Sequence, residues 1–384
     1  MLENEGAASE SGRLLFVVNA AWFFISHRLP IAEAARRAGY DVHVAAGAAS
    51  ADEVLFLKRL GFGFHKLHLR RASRNPIHNA ALLLQLFKVY RRLRPLIVHH
   101  VTIKPVILGT LVARVLRIRA VVNAVSGLGY SFSSKSTMRR ILRHTVGLAY
   151  RVCLSHPRMA VIFQNTDDRS EFCEWTGIEL RASVLIAGSG VDLKRFSTAP
   201  EPPGIVSIVL PARMLRDKGV IEFAMAIGHL REKGILLKGL LAGATDPENP
   251  ESLTETELRG LEASYGVHWI GHCSDVARLF SEVHIVCLPS YREGLPKVLI
   301  EASAAGRAII TTDVPGCRHV VEDGVTGLLV PAMQFAPLAA AMARLIADSS
   351  MRQRLGAAAR ARAENEFGLE RIVAETLELY SVLK

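Results

Sequence analysis

Residues 13–45, RLLFVVNAAWFFISHRLPIAEAARRAGYDVHVA, decide how the chain folds. Residues 13–19 are almost continuously apolar and β-prone, the pattern of a strand covered on both faces. Residues 27–39 then read as a helix that stops at Gly39, and 41–45 as a second strand. That is a β-α-β unit, whose crossover makes the two strands parallel.

The alternation continues outward. Strands are expected at 96–100, 120–125, 160–163 and 183–186, with helices at 76–93, 106–116 and 139–154. The stretch 197–204, STAPEPPG, has three prolines, a glycine and no periodicity, and reads as a linker. A second series follows: strands at 205–210, 237–242, 267–270, 283–288, 308–311 and 327–330, helices at 219–233, 296–305 and 335–348, and a long tail helix at 351–380. A chain of 384 residues exceeds one ordinary core and suits two domains. The fold expected is α/β, with two Rossmann-like doubly wound domains facing across a cleft, and ligands at the carboxyl ends of the strands.

Composition excludes several classes. Half the residues are hydrophobic and 22% are charged, so the chain is not disordered. No apolar run reaches the ~18 residues of a spanning helix. Residues 1–12 lack the basic and apolar regions of a signal peptide. The five cysteines, Cys153, Cys173, Cys273, Cys287 and Cys317, form no metal spacing and no disulfide framework, which points to a reducing compartment. The net charge of +11 is uneven. Residues 1–200 hold 28 Lys and Arg against 13 Asp and Glu, and the remainder holds 19 against 23. The window 51–150 alone has 18 basic and 2 acidic residues, so an anionic partner is expected for the first half. A basic-apolar helix at 77–94 is compatible with lying on an anionic membrane or with facing a core. No nucleic-acid-binding module is recognisable, and no nucleic-acid partner is expected.

Three segments carry candidate chemistry. The first, residues 289–306, is PSYREGLPKVLIEASAAG. A strand runs into a turn and a helix opens near Pro296, so free N–H groups around Gly294 and Leu295 face whatever lies beyond the strand. Glu293 and Glu301 stand eight residues apart, ~12 Å on a continuous helix. Two carboxylates at that separation suit a sugar and a ribose of one nucleotide-sugar, since each binds paired hydroxyls; either glutamate alone is also compatible with a solvated surface. The second segment, 211–219, is PARMLRDKG, in which Arg213 and Lys218 suit a diphosphate. The third, 187–196, is AGSGVDLKRF, where Gly188 and Gly190 permit close backbone approach or merely a turn.

Together these segments resemble the nucleotide-sugar half of glycosyltransferase family 4, enzymes of the two-domain GT-B architecture. Glu293 and Glu301 match its Glu-x7-Glu pattern, and Arg213 and Lys218 its Arg…Lys loop. Gly190, Val191, Asp192 and Phe196 match its NGVD…F turn, with Ser189 in place of Asn. Residues 271–276 and 315–331, the latter PGCRHVVEDGVTGLLVP, also match. The resemblance implies that Glu293, Arg213 and Lys218 serve catalysis, and that Glu301, Gly294, Leu295, Gly190 and Asp192 bind the donor. It implies retention of anomeric configuration, with a UDP-sugar as donor and no metal cofactor; the sequence has no Asp-x-Asp pair.

The stretches 19–30, 71–76 and 126–132 are similar to a narrower branch that extends polyisoprenyl-diphosphate-linked sugars in O-antigen, capsule or glycan assembly. That implies a lipid-diphosphate-linked saccharide as acceptor and an N-acetylhexosamine as the sugar moved. It also implies a peripheral place at the cytoplasmic face of the membrane. Acceptor-side candidates are Ser126, Gly127, Gly129, Arg74, His27 and His100. Two departures stand out: the first loop, NAAWFF, lacks glycine, and Ser126 stands where many members carry His. Residues 1–195 are expected to meet acceptor and membrane, residues 196–365 to bind donor, and 366–384 to pack back on the first domain. A transferase with a soluble acceptor, and a nucleotide-sugar epimerase or hydrolase, remain alternatives.

Overall fold

A computed structural model describes residues 12–69, 75–125, 127, 147, 150–151, 156–176 and 183–384. Two parallel sheets organise it. The first comprises β1 (Arg13–Ala20), β2 (Asp41–Ala48), β3 (Gly63–Lys66), β4 (Ile97–Val101), β5 (Ala120–Val125), β6 (Met159–Phe163) and β7 (Ser183–Leu185), in the order β3-β2-β1-β4-β5-β6-β7. The second comprises β8 (Ser207–Pro211), β9 (Lys238–Ala242), β10 (Val267–Gly271), β11 (Ile285–Leu288), β12 (Ala308–Thr312) and β13 (Leu328–Val330), in the order β10-β9-β8-β11-β12-β13. This is the doubly wound α/β pattern expected, present twice. In each sheet the chain reverses its direction of progress once, between β1 and β4 and between β8 and β11. Such a switch point leaves a crevice at the strands' carboxyl ends.

Burial explains why these runs are strands. In β1, Leu14 and Phe16 enter the core on one face of the sheet, and Leu15 and Val17 the core on the other. Both faces are covered, so the sequence reads as a continuous apolar run, not an alternation.

The structure departs from expectation at several elements. The helix expected at 27–39 is two, Ala21–His27 and Leu29–Arg37, interrupted at Arg28. The expected tail helix is also broken. Helix Ser349–Arg362 passes through a wide turn and then Gly368, where the backbone turns extended, before helix Leu369–Leu383. The last helix returns to the first sheet, where Tyr380 Oη lies 2.6 Å from His99 Nδ1. Strand β3 and helices Ala51–Arg59, Thr166–Thr176 and Glu255–Tyr265 were not anticipated. Two of those helices carry a legible start, since Ser50 with Glu53 and Thr254 with Glu257 form reciprocal capping boxes.

Helix Pro76–Leu93 turns Leu82, Leu86, Tyr90 and Leu93 into the core. Its apolar face is therefore not free for a membrane, although Ile77 and Leu84 remain exposed. Among the described residues no helix is long and apolar enough to cross a membrane. The expected helix at 139–154 falls largely outside the described residues.

Candidate functional site

The loops after β8 and β11 flank the switch point of the second sheet. Arg213, Asp217 and Lys218 lie on the first, and Ser290 to Leu295 on the second. Their close approach depends on Gly219, at φ +72°, where a Cβ would meet the Pro289 carbonyl oxygen at 2.2 Å. Across this junction Lys218 Nζ lies 2.5 Å from Glu293 Oε1, and Ser290 Oγ donates to the same oxygen at 2.7 Å. Both charged side chains are mostly buried, with 17% and 14% exposed. Burial alone would lower the Lys218 pKa, but the carboxylates of Glu293 and Asp217 outweigh it and hold the ammonium above its ordinary value.

Helix Lys297–Ala304 opens just beyond, with Pro296 at its N-cap and no side-chain cap. The N–H groups of Gly294 and Leu295 donate to no described residue. Unpaired donors and the positive end of a helix thus meet a lysine and a carboxylate, which suits an anionic ligand carrying hydroxyls. Gly316, at φ +85°, makes room behind the loop: a Cβ there would sit 2.5 Å from the Glu293 carbonyl oxygen.

Several candidates are placed otherwise than the sequence implied. Glu293 lies on the loop before the helix, so the helical rise of ~12 Å does not measure its distance from Glu301. Glu301 is on the helix, its pKa raised by burial against the pull of Lys297, 3.5 Å away. Arg213 is engaged by Asp246. Gly190 and Asp192 lie on a turn that meets the loop at Gly188, where a Cβ would sit 3.1 Å from Leu295 Cδ2. At Gly190 a Cβ would meet Leu369 Cα at 2.8 Å, and Asp192 Oδ1 accepts the N–H groups of Lys194 and Arg195. Their turn also holds the tail, since Val191 N–H donates to the Phe367 carbonyl at 2.9 Å and Leu369 N–H to the Val191 carbonyl at 3.0 Å.

On the opposite side, His27 stands beside the second domain, where Lys297 Nζ donates to the Ser26 carbonyl at 2.7 Å. Burial first, then the Lys297 and Arg28 charges, pushes His27 down to about 3, so its ring is neutral at ordinary pH. His100 is corrected. It is fully buried in β4, with Nε2 2.7 Å from Tyr90 Oη and Nδ1 2.8 Å from Asn123 Oδ1, and no face left for an acceptor. Gly127 reaches the junction: a Cβ on it would sit 3.0 Å from Gly294 Cα. Ser126, Gly129 and Arg74 lie outside the described residues. A basin of about 740 Å³ lined by Arg13, Asp41, Arg94, Arg119 and Lys384 lies at the strand starts, remote from these loops. It has no helix start and one carboxylate already paired with Arg13, so it does not rival the switch point.

Ser290, Asp217, Asp246 and Arg292 were not singled out from the sequence. The motif containing each was quoted, or in the case of Asp246 lay downstream of it, but hydrogen-bond partners depend on which loops meet.

The family model for glycosyl transferases group 1 matches residues 191–362, and that for glycosyl transferase 4-like domains matches residues 13–164. The chain belongs to the GT-B glycosyltransferases. This glycosyltransferase is 32% identical over 169 residues to the capsular polysaccharide biosynthesis glycosyltransferase CapM of Staphylococcus aureus, a match spanning 44% of each chain. It is 27% identical over 315 residues to the N,N'-diacetylbacillosaminyl-diphospho-undecaprenol alpha-1,3-N-acetylgalactosaminyltransferase of Campylobacter jejuni, covering 78% of this chain and 80% of that protein. The structure of HepE from Anabaena in complex with UDP superposes with a TM-score of 0.77 at 17% identity, over 96% of this glycosyltransferase and 100% of that chain. At that identity the superposition speaks for the fold.

Proposed function

We propose that this glycosyltransferase moves a sugar, an N-acetylhexosamine, from UDP to a polyisoprenyl-diphosphate-linked saccharide in surface polysaccharide assembly, with retention at the anomeric carbon. The observation that carries the reading is the buried Lys218–Glu293 pair at the mouth of an uncapped helix, between the two loops of the switch point. In this reading the UDP diphosphate accepts hydrogen bonds from the Gly294 and Leu295 amides and takes the charge of Lys218 and Arg213. Glu293 is then released to bind sugar hydroxyls, and Glu301 takes the ribose. The departing diphosphate gains negative charge in the transition state, so fixed cations and amides lower the barrier more than they bind the ground state. These groups act without a metal in the reading.

The acceptor and sugar are supported by the activity for which the Campylobacter relative is named, and the donor by the UDP bound in the Anabaena structure. Residues 1–195 receive the acceptor, with Gly127 against the donor loop and His27 beside Lys297, and residues 196–365 bind the donor. A peripheral place on the inner membrane face rests on the charge surplus of residues 1–200.

The test is a panel of UDP-sugars offered with native lipid extract, following UDP release together with the mass of the lipid product. UDP release that needs no lipid would favour a soluble acceptor or hydrolysis, and product from donor alone an epimerase.

A further inference from the structure

The loop that bears Glu293 is held from across the cleft. Helix Thr166–Thr176 follows β6 of the first sheet, yet its first turns face the loop after β11. Arg292, which precedes Glu293, places its guanidinium between two carboxylates of that helix. Its Nη2 lies 2.7 Å from Asp168 Oδ1 and 2.6 Å from Glu171 Oε2. Little of this meets water: 8% of the Arg292 side chain and 1% of the Asp168 side chain are exposed. Asn165 completes the arrangement. Its Nδ2 donates to Asp168 Oδ2 at 3.0 Å and also to the Gly294 carbonyl oxygen, while its Oδ1 accepts the Asp168 N–H at 2.7 Å.

An exposed interdomain ion pair would contribute little and report nothing about the site. This one is buried, so loss of Arg292 strands the Asp168 carboxylate in a poorly solvated place, while loss of Asp168 leaves Arg292 to Glu171 and frees its hold on the start of the helix. Its points of attachment matter most. Arg292 and Gly294 flank Glu293 on either side, so fixing both fixes the backbone from which the carboxylate projects. Neither contact survives if the two sheets separate.

We propose that Asn165, Asp168 and Arg292 are positioning residues that give the Glu293 loop its working geometry only when the two domains close. The donor site is thus completed by the acceptor-side domain, although none of the three touches the donor. This inference rests on the donor-site reading given above.

The test uses the full chain and compares wild type with Asp168→Asn, Arg292→Lys, Asp168→Ala, Arg292→Ala and the double alanine variant. UDP affinity is read by calorimetry, transfer by steady-state kinetics, and folding by thermal melts. The expected result is a kcat roughly 10- to 100-fold lower in each alanine variant, the penalty of misplacing a reacting group. UDP affinity falls as well, since the Gly294 and Leu295 amides lie on the same loop, but by less than kcat, because Lys218 and Arg213 keep their places within the second domain. The double variant falls no further than the worse single one, since the pair acts as a unit. Arg292→Lys recovers part of the loss. If the losses add, or kcat per folded molecule stays at the wild-type value, the positioning role is wrong. The Lys and Asn variants preserve this decision if an alanine variant fails to fold. Wild type that binds no UDP would instead remove the donor-site reading, and this inference with it.

Discussion

Lys218 Nζ stands 2.5 Å from Glu293 Oε1, joining the loop after β8 to the loop after β11. The pair keeps a lysine charged in a place where burial opposes its charge. It also joins the two groups that the proposed reaction needs.

Glu293→Ala is expected to lower kcat on the order of 10²–10³-fold, the range seen when one group stabilising transition-state charge is removed. Circular dichroism should show the fold retained. Unchanged transfer by the folded variant would remove Glu293 from the donor site.

Arg213→Ala is expected to cost about 2–4 kcal/mol of transition-state stabilisation, read from kcat/KM. The side chain already answers to Asp246, so Asp246→Asn should leave Arg213 free for the diphosphate and spare most activity. Equal damage from both substitutions would mean that the ion pair itself, and not the arginine, is needed.

Gly316→Ala puts a methyl where 2.5 Å separates it from the Glu293 carbonyl oxygen, at a φ of +85°. The backbone term alone is about 1 kcal/mol or more. Displacement of the loop should weaken UDP binding beyond what the fall in Tm explains. A lowered Tm with wild-type UDP affinity would show that the loop tolerates the shift.

His27 is held down to about 3 by burial, with Lys297 and Arg28 adding to it, against 6.5 in an unfolded chain. The unfolded chain therefore takes up a proton that the folded one refuses until much lower pH. This contribution to stability is complete above 6.5 and declines as the pH falls towards 3. Urea unfolding of His27→Gln should lose less stability than wild type between about pH 7.5 and about pH 5. Parallel losses would mean that the ring titrates normally in the fold.

Sedimentation with anionic vesicles should weaken as salt rises, because exposed arginines and lysines are screened beyond about 8 Å at physiological ionic strength. Binding that ignores salt would rule out the electrostatic attachment. The apolar face of helix Pro76–Leu93 adds little, since it is already in the core.

The fold was legible because both faces of each sheet are covered. Strands such as β1, β5 and β11 then become continuous apolar runs that no other element explains. β3 was not legible, because GFHK is short and only half-buried at a sheet edge, where nothing forces an apolar pattern. The long tail at 351–380 read as one helix because its composition is helical throughout. Its break at Gly368 arises where the chain must leave one sheet and reach the other. The family's motifs in residues 191–362 were legible as residue types at fixed spacing. The contact of Gly190 with Leu369 was not legible, since a glycine that admits a ligand and one that admits Leu369 look alike in sequence. His100 was misread for a similar cause: a histidine in an apolar strand gives no sign of which side chains close around it.

The sequence by itself determined the two doubly wound sheets, the uneven charge and the residue types carried by the loops of the switch point. Those properties follow from local periodicity and from side-chain chemistry, which neighbours along the chain suffice to express. Only the tertiary structure decided that Lys218 meets Glu293, that Arg213 meets Asp246, and that Asp168 reaches across to Arg292. Each of those contacts joins residues far apart in sequence, and its short range means that a shift of one loop would abolish it.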